Sequence, residues 1–334
     1  MFEKDRLVQP AWNDIFSKVT SFRQTLVIIA ATELGYFDDV PRKEAIIDIA
    51  KRLKIDEQAA YVLINALVSL DLVQAKLGVY WTRPDICELF VPSSGRDIRF
   101  NILALKKEIE VWSNMAGIIR GECARDDSYS RELFDGGIEK FEGLGLLNRL
   151  DAEQMIPQIL GYVPENAKIL DMGGGEGYYA KRLIAATQAD RVDILDIPTG
   201  FSISEKVNHE ELKQGKVRHI IGDARTFAAP EAYEIVLANE LTELFKKSDK
   251  RMIIDNAISC VKPGGHFVLT KFPLTIDGTG PGRFPIFSMR MLMKFEGAFL
   301  EPDEMLADWC RDAGLDLVHA TEQNRTLMIF RKPQ

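Results

Sequence analysis

Apolar residues recur every three or four positions from residue 11 to about residue 150, a spacing that predicts amphipathic helices. The pattern is interrupted around Leu77-Gly78 by two short runs of β-forming residues, which predict a hairpin. The helical segments before the hairpin are "FRQTLVIIAATELGYFD", "KEAIIDIAKRLKI" and "DEQAAYVLINALVSLDLV". Three helices followed by a hairpin indicate a winged-helix unit, and further helices are predicted from about 96 to 160.

From about residue 166 the pattern changes to short apolar runs separated by helical stretches. Five of these runs are predicted strands: "KILDMG", "RVDILDI", "VRHIIGD", "YEIVLAN" and "GHFVLTK". Alternating strands and helices predict an α/β fold with a doubly wound, mainly parallel, Rossmann-like sheet. Only four residues separate the last two runs, "LDLVHAT" and "TLMIFRK", so we expect them to form an antiparallel hairpin at or near the sheet edge.

Composition narrows the class of protein. Apolar residues make up 46% and charged residues 28%, as in ordinary globular proteins, and the formal charge of −8 disfavours a mainly electrostatic nucleic-acid partner. The longest strongly apolar run, residues 26–31, is too short for a membrane span, and we expect no secretory signal. Widely scattered cysteines and isolated histidines predict reduced thiols, a cytoplasmic location and no metal site.

The stretch "KILDMGGGEGYYAKRL", residues 168–183, predicts a strand, a glycine-rich turn and a helix. Such a turn lets a ligand approach the N–H groups of a helix N-terminus, and "GEGYYA" also matches a dinucleotide pattern. Asp171 and Glu176 argue against a dinucleotide, because both would repel a pyrophosphate. A cationic ligand that carries its own carboxylate fits better, and S-adenosylmethionine has this character. The glycines of the turn are Gly173, Gly174, Gly175 and Gly177.

Two more acids end predicted strands where a nucleoside would need them. Asp196 ends the second strand, where its carboxylate can accept both ribose hydroxyls, and Asp223 ends the third, where it can accept from the adenine amino group. Ligands of open α/β sheets bind at the carboxyl ends of the strands. Each acid alone is as readily explained as a turn or helix-capping residue. The three acids together with the glycines favour S-adenosylmethionine, and Ile197 and Asn239 join the predicted cofactor-binding residues.

The segments "LDMGGGEG", "LDIP", "GDA" and "VKPGGHFVL" resemble the motifs of class I S-adenosylmethionine-dependent methyltransferases, in order. With the winged-helix half before them, nearly the whole chain resembles the small-molecule O-methyltransferase family of plants and bacteria. The resemblance implies that Gly173, Gly175 and Gly177 line the methionine moiety, Asp196 the ribose, and Asp223 with Ala224 the adenine.

The same resemblance implies a domain organisation. It assigns residues 1–95 to a winged-helix-like dimerisation domain, 96–160 to a helical region that covers the substrate, and 161–334 to the S-adenosylmethionine-binding domain. Trp12 and Phe16 precede the apolar segment of the first helices, which we expect to bury itself in a partner subunit of a homodimer. An ordinary intrachain core is the alternative interpretation.

The chain departs from the family pattern at the catalytic base. The family has a His just after the fourth strand, but the corresponding stretch here is "ANELTELFKKSD", which aligns Thr242 with the His, and no His occurs between residues 220 and 265. The nearest acids are Glu240 and Glu243. Of the family's two supporting glutamates, one aligns with Lys271 and the other falls near Phe299.

Three explanations remain open for the missing base. The acceptor is acidic or nucleophilic enough, as oxygen, nitrogen or carbon, for proximity to suffice. Alternatively, another residue acts as the base, with Lys271 and Glu240 the best placed and Thr242 filling the vacated space. The third explanation is a different reaction, such as cyclisation, including cyclisation of S-adenosylmethionine itself. Against a catalytic role, Lys271 is also explained as a solvated strand-end lysine, and Glu240 and Glu243 as acids of a first helical turn.

Apolar and sulfur-containing residues of "RFPIFSMRMLMKFEG" fall where the resembling family lines its acceptor pocket, although helix packing explains half of them equally well. The predicted substrate-binding residues are Trp112, Met115, Asn148, Phe287, Met289 and Met293. Two other functions compete with methyl transfer. A winged helix can bind DNA, but Asp56 and Glu57 open the would-be recognition helix, and a nicotinamide dehydrogenase is supported by "GEGYYA" alone.

Overall fold

The computed structural model describes residues 2–91, 96–123, 138–198 and 201–334. The chain divides into two compact units, one formed by residues 1–110 and 142–144 and the other by residues 111–141 and 145–334. The described part of the first unit contains a three-stranded sheet, and that of the second contains a seven-stranded sheet.

The first unit is built from helices and a small antiparallel sheet. Its helices are α1 (Phe2–Thr20), α2 (Phe22–Glu33), α3 (Ile46–Leu53), α4 (Glu57–Ser69) and α5 (Arg99–Ser113), the last of which continues into the second unit. Its strands are β1 (Glu44–Ala45), β2 (Val73–Lys76) and β3 (Val79–Thr82), in the order β1-β3-β2. Glu44 and Ala45, which the apolar spacing predicts to be helical, pair instead with Tyr80 and Val79, because the small sheet gives their backbone a partner.

The predicted hairpin is confirmed. Leu77 and Gly78 join β2 to β3 with φ values of 53° and 77°, the left-handed pair that a two-residue turn requires. Asp56 begins α4 by accepting a hydrogen bond from the Ala59 N–H at 2.8 Å. The core of this unit includes Phe37, which stacks on Phe90 with ring centroids 4.1 Å apart.

The second unit contains all seven strands that the sequence predicts for the large sheet. They are β4 (Lys168–Met172), β5 (Arg191–Asp196), β6 (Val217–Ile221), β7 (Tyr233–Asn239), β8 (Val261–Lys271), β9 (Asp316–Glu322) and β10 (Thr326–Arg331). The helices are α6 (Met115–Arg120), α7 (Ile138–Ile159), α8 (Tyr178–Ala186), α9 (Phe201–Val207), α10 (His209–Lys213), α11 (Lys247–Cys260), α12 (Phe284–Lys294) and α13 (Asp303–Asp312). Part of the helical prediction for 96–160, residues 124–137, lies outside the described residues.

The strand order is β6-β5-β4-β7-β8-β10-β9, parallel except for β10, which runs antiparallel to both β8 and β9. The predicted α/β class, the doubly wound mainly parallel sheet and the closing edge hairpin are therefore confirmed. Central β4 and β7 are buried almost throughout, whereas the edge strand β9 alternates between exposed and half-buried residues. Two apolar clusters pack against the sheet, with Phe267 and Leu269 in one and Val268 and Ile329 in the other.

The order of the strands creates one ligand-binding edge. The chain leaves β4 toward β5 on one side and returns to β7 on the other, so the carboxyl end of β4 is a topological switch point, where open α/β sheets bind ligands. Because β10 is antiparallel and Thr326 lies opposite Lys271, the β9–β10 turn reaches the same edge.

Candidate active site

The glycine-rich turn after β4 is shaped by positive φ angles, which are 73° at Gly173, 51° at Gly175 and 73° at Gly177. A Cβ atom on Gly173 would lie 2.6 Å from the Leu241 Cδ1 atom, so a larger residue would have to displace Leu241 as well as adopt a positive φ. At Gly175, by contrast, the nearest atom to an added Cβ would be Asp196 Oδ2 at 3.9 Å. The backbone is therefore packed tightly on one side of the turn and open beside Gly175, where a ligand can approach.

Asp171 lies at the floor of this turn with only 1% of its surface exposed. Its Oδ1 atom accepts a weak hydrogen bond from Asn239 Nδ2 at 3.5 Å, and its Oδ2 atom is buried without a protein partner. Burial, reinforced by the charge of Asp196, raises the pKa of Asp171 to about 7, although the Asn239 hydrogen bond opposes the shift. A buried carboxylate with one unsatisfied oxygen is suited to a cationic ligand.

Asp196 joins the end of β5 to the glycine turn. Its Oδ2 atom accepts the Gly175 N–H at 2.7 Å, and its Oδ1 atom accepts the Ile197 N–H at the same distance. Burial raises the pKa of Asp196, while these two hydrogen bonds oppose the rise. Ile197 itself is exposed. Asp171 Oδ2 would lie 2.6 Å from a Cβ atom added to Gly174, so Asp171 and Asp196 approach adjacent glycines of the turn.

Asp223, after β6, is bound by a neighbour in sequence. Arg225 donates to both carboxylate oxygens, with Nη2 2.6 Å from Oδ2, and its backbone N–H donates to Oδ1 at 2.8 Å. These bonds lower the pKa of Asp223. Arg225 also reaches Asp249 at 3.4 Å, and buried Ala224 accepts a hydrogen bond at its carbonyl from Asn256. An adenine amino group would therefore share Asp223 with Arg225.

Asn239 connects three strands at the same edge. Its Nδ2 group donates to Asp171 on β4, and its Oδ1 atom accepts the Thr270 hydroxyl of β8 at 3.0 Å. Tyr179, in the first turn of α8, lies close to Thr270, and its pKa is raised first by burial and then by the charges of Glu240 and Asp171. These contacts form a continuous polar wall from β4 to β8.

The segment that aligns with the family's catalytic His is buried. Thr242 donates a long hydrogen bond of 3.4 Å to Glu243 Oε2, and the other carboxylate oxygen of Glu243 accepts the Phe272 N–H at 3.0 Å. Both side chains are 2% exposed. Glu243 is therefore an interior acid that ties the end of β7 to the end of β8, and it also lies in the first turn of a short 3-10 helix, Thr242–Leu244, as the alternative interpretation expects.

The two lysines of this region are paired with acids. Lys271 Nζ bonds to Asp303 Oδ1 and donates to the Phe272 carbonyl at 2.6 Å. Lys271 is buried, so the alternative interpretation of a solvated strand-end lysine is wrong. Lys250 of α11 is completely buried and pairs with Glu301 Oε2, while Glu301 Oε1 has no partner. Burial lowers the pKa of Lys250 and raises that of Glu301.

Glu240, which with Lys271 is a predicted alternative base, has a left-handed backbone with φ of 48° and is held by Arg325. Arg325 Nε donates to Glu240 Oε1 at 2.6 Å, and Arg325 also pairs with Asp151 at 2.9 Å. Burial raises the pKa of Glu240, and the charge of Arg325 opposes the rise.

Among the predicted substrate-binding residues, those of α12 border an aromatic cluster. Phe287 lies 4.0 Å, centroid to centroid, from Phe272, which follows β8. Phe284 joins the same cluster. Met289 is half-buried and Met293 is fully buried, and α6, which begins at Met115, packs against α12. Trp112 and Met115 are half-buried, whereas Asn148 is exposed.

Glu176 of the glycine-rich turn, Arg149 and Arg120 each have a charged partner. Arg149 pairs with Glu176 at 2.7 Å and lies over the Tyr178 ring, so this acid of the turn already has a cationic partner. Arg120 is exposed, 3.7 Å from Glu122. In the described ranges, no group of three His, Cys, Asp or Glu side chains could hold a metal ion.

The comparison with protein families decides between the functions that the turn allows. A family model described as a methyltransferase domain matches residues 148–320, more than half of the chain. The chain belongs to this methyltransferase domain family. The predicted enzyme class, an S-adenosylmethionine-dependent methyltransferase, is therefore confirmed, and the dehydrogenase alternative is not supported.

Curated relatives of this methyltransferase resemble it over most of their length. The acetylserotonin O-methyltransferase of Bos taurus is 26% identical over 306 residues, covering 86% of this chain and 87% of the relative. The 3-hydroxy-5-methyl-1-naphthoate 3-O-methyltransferase of Streptomyces sahachiroi is 23% identical over 303 residues, covering 88% of this chain and 87% of the relative. The resemblance to small-molecule O-methyltransferases thus extends beyond the cofactor motifs.

Solved structures share the fold of this methyltransferase. An O-methyltransferase family protein from Burkholderia thailandensis superposes with a TM-score of 0.83 at 22% identity, over 96% of this chain and 98% of that one. Human N-acetylserotonin methyltransferase, solved in complex with SAM, gives a TM-score of 0.77 at 16% identity, over 97% and 98% of the two chains. Among the helices described here, none is long and apolar enough to cross a membrane.

The buried charged residues of the methyltransferase that were not predicted from its sequence include Lys250, Glu301 and Arg325. Glu301 carried a usable signal, because it lies two residues from Phe299, where the resemblance places a supporting glutamate. Lys250 and Arg325 carried none, since an isolated basic residue in a sequence is usually a surface residue.

Proposed function

We propose that this protein transfers the methyl group of S-adenosylmethionine to an oxygen of a small aromatic acceptor. The observation that carries the proposal is Asp171, a buried carboxylate with an unsatisfied oxygen beneath a turn whose backbone is open at Gly175. When bound, S-adenosylmethionine supplies an electrophilic methyl group on a cationic sulfur. Its positive amino and sulfonium groups match the excess of carboxylates at this edge of the sheet.

The cofactor residues divide by the part of the ligand that they would hold. Gly173, Gly174, Gly175 and Gly177 keep the turn open for the methionine moiety, and Asp171 with Asn239 provides acceptor oxygens for its amino group. Asp196 would accept hydrogen bonds from the ribose hydroxyls, with Ile197 beside them. Asp223 would accept a hydrogen bond from the adenine amino group, with Ala224 next to the ring. Asp223 and Asp196 support these roles because they end neighbouring parallel strands.

An aromatic acceptor is supported by the aromatic cluster after β8 and by the relatives. Phe287 on α12 packs on Phe272, whose ring also lies against Arg325, so Phe287 is the ring of this cluster that we assign to the acceptor, and aromatic rings pack well against planar ligands. The curated relatives are named as O-methyltransferases, one of them for the 3-hydroxy group of a naphthoate. We assign Trp112, Met115, Asn148, Met289 and Met293 to the same acceptor region.

We infer that positioning of the acceptor, rather than proton removal by a strong base, provides most of the acceleration of methyl transfer. Thr242 occupies the place of the family's His, and the charges of Glu240 and Lys271 are matched by Arg325 and Asp303. These three residues would border the reacting atoms without removing the proton. An acceptor hydroxyl that is itself acidic, such as a phenol, needs only to be held close to the methyl group and aligned with it.

The test is to incubate the purified protein with S-adenosylmethionine and a panel of phenols and hydroxylated aromatic acids, with product detection by mass spectrometry. We expect S-adenosylhomocysteine and an acceptor heavier by one methylene unit. If methylthioadenosine forms instead, the alternative reaction on the methionine chain, cyclisation, replaces the proposal. If the protein does not bind S-adenosylmethionine in calorimetry, the proposal fails altogether.

We also propose that the N-terminal unit forms a homodimer, with a second copy of the chain covering an apolar stripe on α1 and α2. Large side chains repeat along this stripe at helical spacing and are exposed by 40–65%: Trp12, Ile15, Phe16, Val19, Phe22 and Leu26. Exposed apolar patches of this size mark interfaces, and the helical repeat suits a symmetric contact. Light scattering should give twice the mass of the chain. It should give the mass of a single chain after Phe16→Asp with Val19→Asp, and a monomeric wild-type protein would contradict this part.

A further inference from the structure

Arg325 is a buried cation at the ligand-binding edge of the sheet. It precedes β10 in the β9–β10 turn and is 4% exposed. Thr326, the next residue, pairs with Lys271 at the carboxyl end of β8. A guanidinium placed in this way is far from bulk solvent and close to the segment that follows β7.

Two carboxylates share this guanidinium. Arg325 Nε lies 2.6 Å from Glu240 Oε1, and Nη1 lies 2.9 Å from Asp151 Oδ2, so α7 and the end of β7 are joined through one side chain. Nη1 also donates to the Asn324 carbonyl at 3.0 Å. We call Arg325, Glu240 and Asp151 the group of three. With both acids ionised, the group of three carries one net negative charge.

An aromatic face fixes the guanidinium plane. The Arg325 Cζ atom lies 3.8 Å from the centroid of Phe272, whose ring in turn packs on Phe287. A planar guanidinium can stack on a ring and bind a carboxylate at its edge at the same time, which a lysine ammonium cannot do. The orientation of Arg325 is therefore determined from several sides.

The group of three borders the site assigned to the methionine moiety. Glu240 directly follows Asn239, which is bonded to Asp171, and its N–H donates to the Thr270 carbonyl at 2.9 Å. The Tyr179 hydroxyl lies within the electrostatic influence of Glu240, Asp171 and Arg325 together. Charge on the group of three therefore acts on any ligand in the turn after β4.

We propose that Arg325 is a positioning residue that tempers the negative potential at the methionine end of the pocket, and so sets how strongly the protein prefers S-adenosylmethionine to S-adenosylhomocysteine. The inference rests on the proposed function. The two ligands differ by the methyl group and its positive charge, so the ratio of their dissociation constants reports the potential at the sulfur. Without the guanidinium, the charge of Asp151 is no longer compensated and favours the sulfonium. Ionised Glu240 adds to this effect, but burial then raises the pKa of Glu240 without opposition from Arg325, so Asp151 carries the larger part.

The experiment measures the dissociation constants of both ligands by calorimetry. In Arg325→Met we expect the ratio of the S-adenosylhomocysteine constant to the S-adenosylmethionine constant to rise about threefold to tenfold, the scale of one charge several ångströms away. Arg325→Lys keeps the charge and should leave the ratio near the wild-type value. Glu240→Gln should lower it. The matched control is Arg331→Met, an exposed arginine at the far end of β10, which should not change the ratio.

A purely structural role would weaken both ligands equally, and an unchanged ratio in a folded Arg325→Met protein overturns the inference. If that variant does not fold, Glu240→Gln decides, because an unchanged ratio there also contradicts an electrostatic role. A wild-type protein that binds neither ligand would instead refute the proposed function, so the two failures are distinguishable.

Discussion

The Asp171 carboxylate and the Asn239 amide meet across neighbouring strands β4 and β7, with Oδ1 3.5 Å from Nδ2, while Asp171 Oδ2 has no protein partner. One weak hydrogen bond does not compensate for full burial, and the pKa of Asp171 is therefore raised to about 7, with Asp196 adding to the effect of burial. In the ligand-free protein the Asp171 carboxyl group is therefore partly protonated at pH 7. A positively charged ligand favours the ionised form of Asp171, and this change in protonation can be measured.

Binding of S-adenosylmethionine should release protons at neutral pH. Because the pKa of Asp171 is about 7, a fraction of these side chains carries a proton at pH 7, and an adjacent positive charge lowers the pKa, so that fraction of a proton leaves on binding. Calorimetry in two buffers of different ionisation enthalpy should give different apparent binding enthalpies. Asp171→Asn should abolish the difference and weaken binding. Equal enthalpies for the wild-type protein in both buffers would show that Asp171 does not meet the cationic part of the ligand.

The same carboxyl group should make the ligand-free protein less stable at higher pH. Its folded pKa lies above the unfolded value, so its contribution to stability is complete below about pH 4 and is lost as the pH rises through 7. Asp171→Asn removes this loss, and at pH 8 the free energy of unfolding should rise by about 2 to 4 kcal/mol, with less gain at pH 5. Urea titrations at both pH values check this.

The control for that stability measurement is Asp190→Asn, an exposed acid just before β5. Its free energy of unfolding should change little at either pH, because the environment of an exposed carboxylate is similar in the folded and unfolded chain. A destabilised Asp171→Asn protein at pH 8 would mean that the carboxylate is held by interactions stronger than its bond to Asn239.

Two glycines of the turn should respond differently to alanine. At Gly175 an added Cβ meets open space, and the cost is about 1–2 kcal/mol for a left-handed alanine. At Gly177 the added atom would lie 2.7 Å from both Ile194 Cδ1 and Ser204 Oγ, so packing must give way. We expect Gly175→Ala to fold but to bind S-adenosylmethionine at least tenfold more weakly, since the new methyl group enters the ligand's space. Gly177→Ala should lose far more thermal stability, and the reverse order would contradict this division of roles.

The fold and the grouping of Asp171 and Asp196 at the glycine-rich turn could be predicted because their signals are local in sequence. A strand, an acid and a glycine turn follow one another within ten residues in "KILDMGGGEG", and each acid that ends a strand can be read from its own segment. The buried ion pairs of the second unit could not be predicted in this way. Arg325 and Glu240 are 85 residues apart, and Lys250 and Glu301 are 51 apart, so only the folded chain shows that these charges are buried and paired. Burial of a charge requires a partner, and no periodicity identifies the partner.

Thr242 provides the test of catalysis without the family's histidine. Its hydroxyl makes one long hydrogen bond, to Glu243, and its side chain is buried, so it is placed to fill space rather than to accept a proton. With an acceptor found in the screen, Thr242→Ala and the isosteric Thr242→Val should keep turnover within about threefold of wild type, whereas loss of a general base typically costs 10²–10⁴-fold. A fall of that size in both variants, with unchanged binding of S-adenosylmethionine, would show that the Thr242 hydroxyl takes part in the proton transfer and that positioning alone is insufficient.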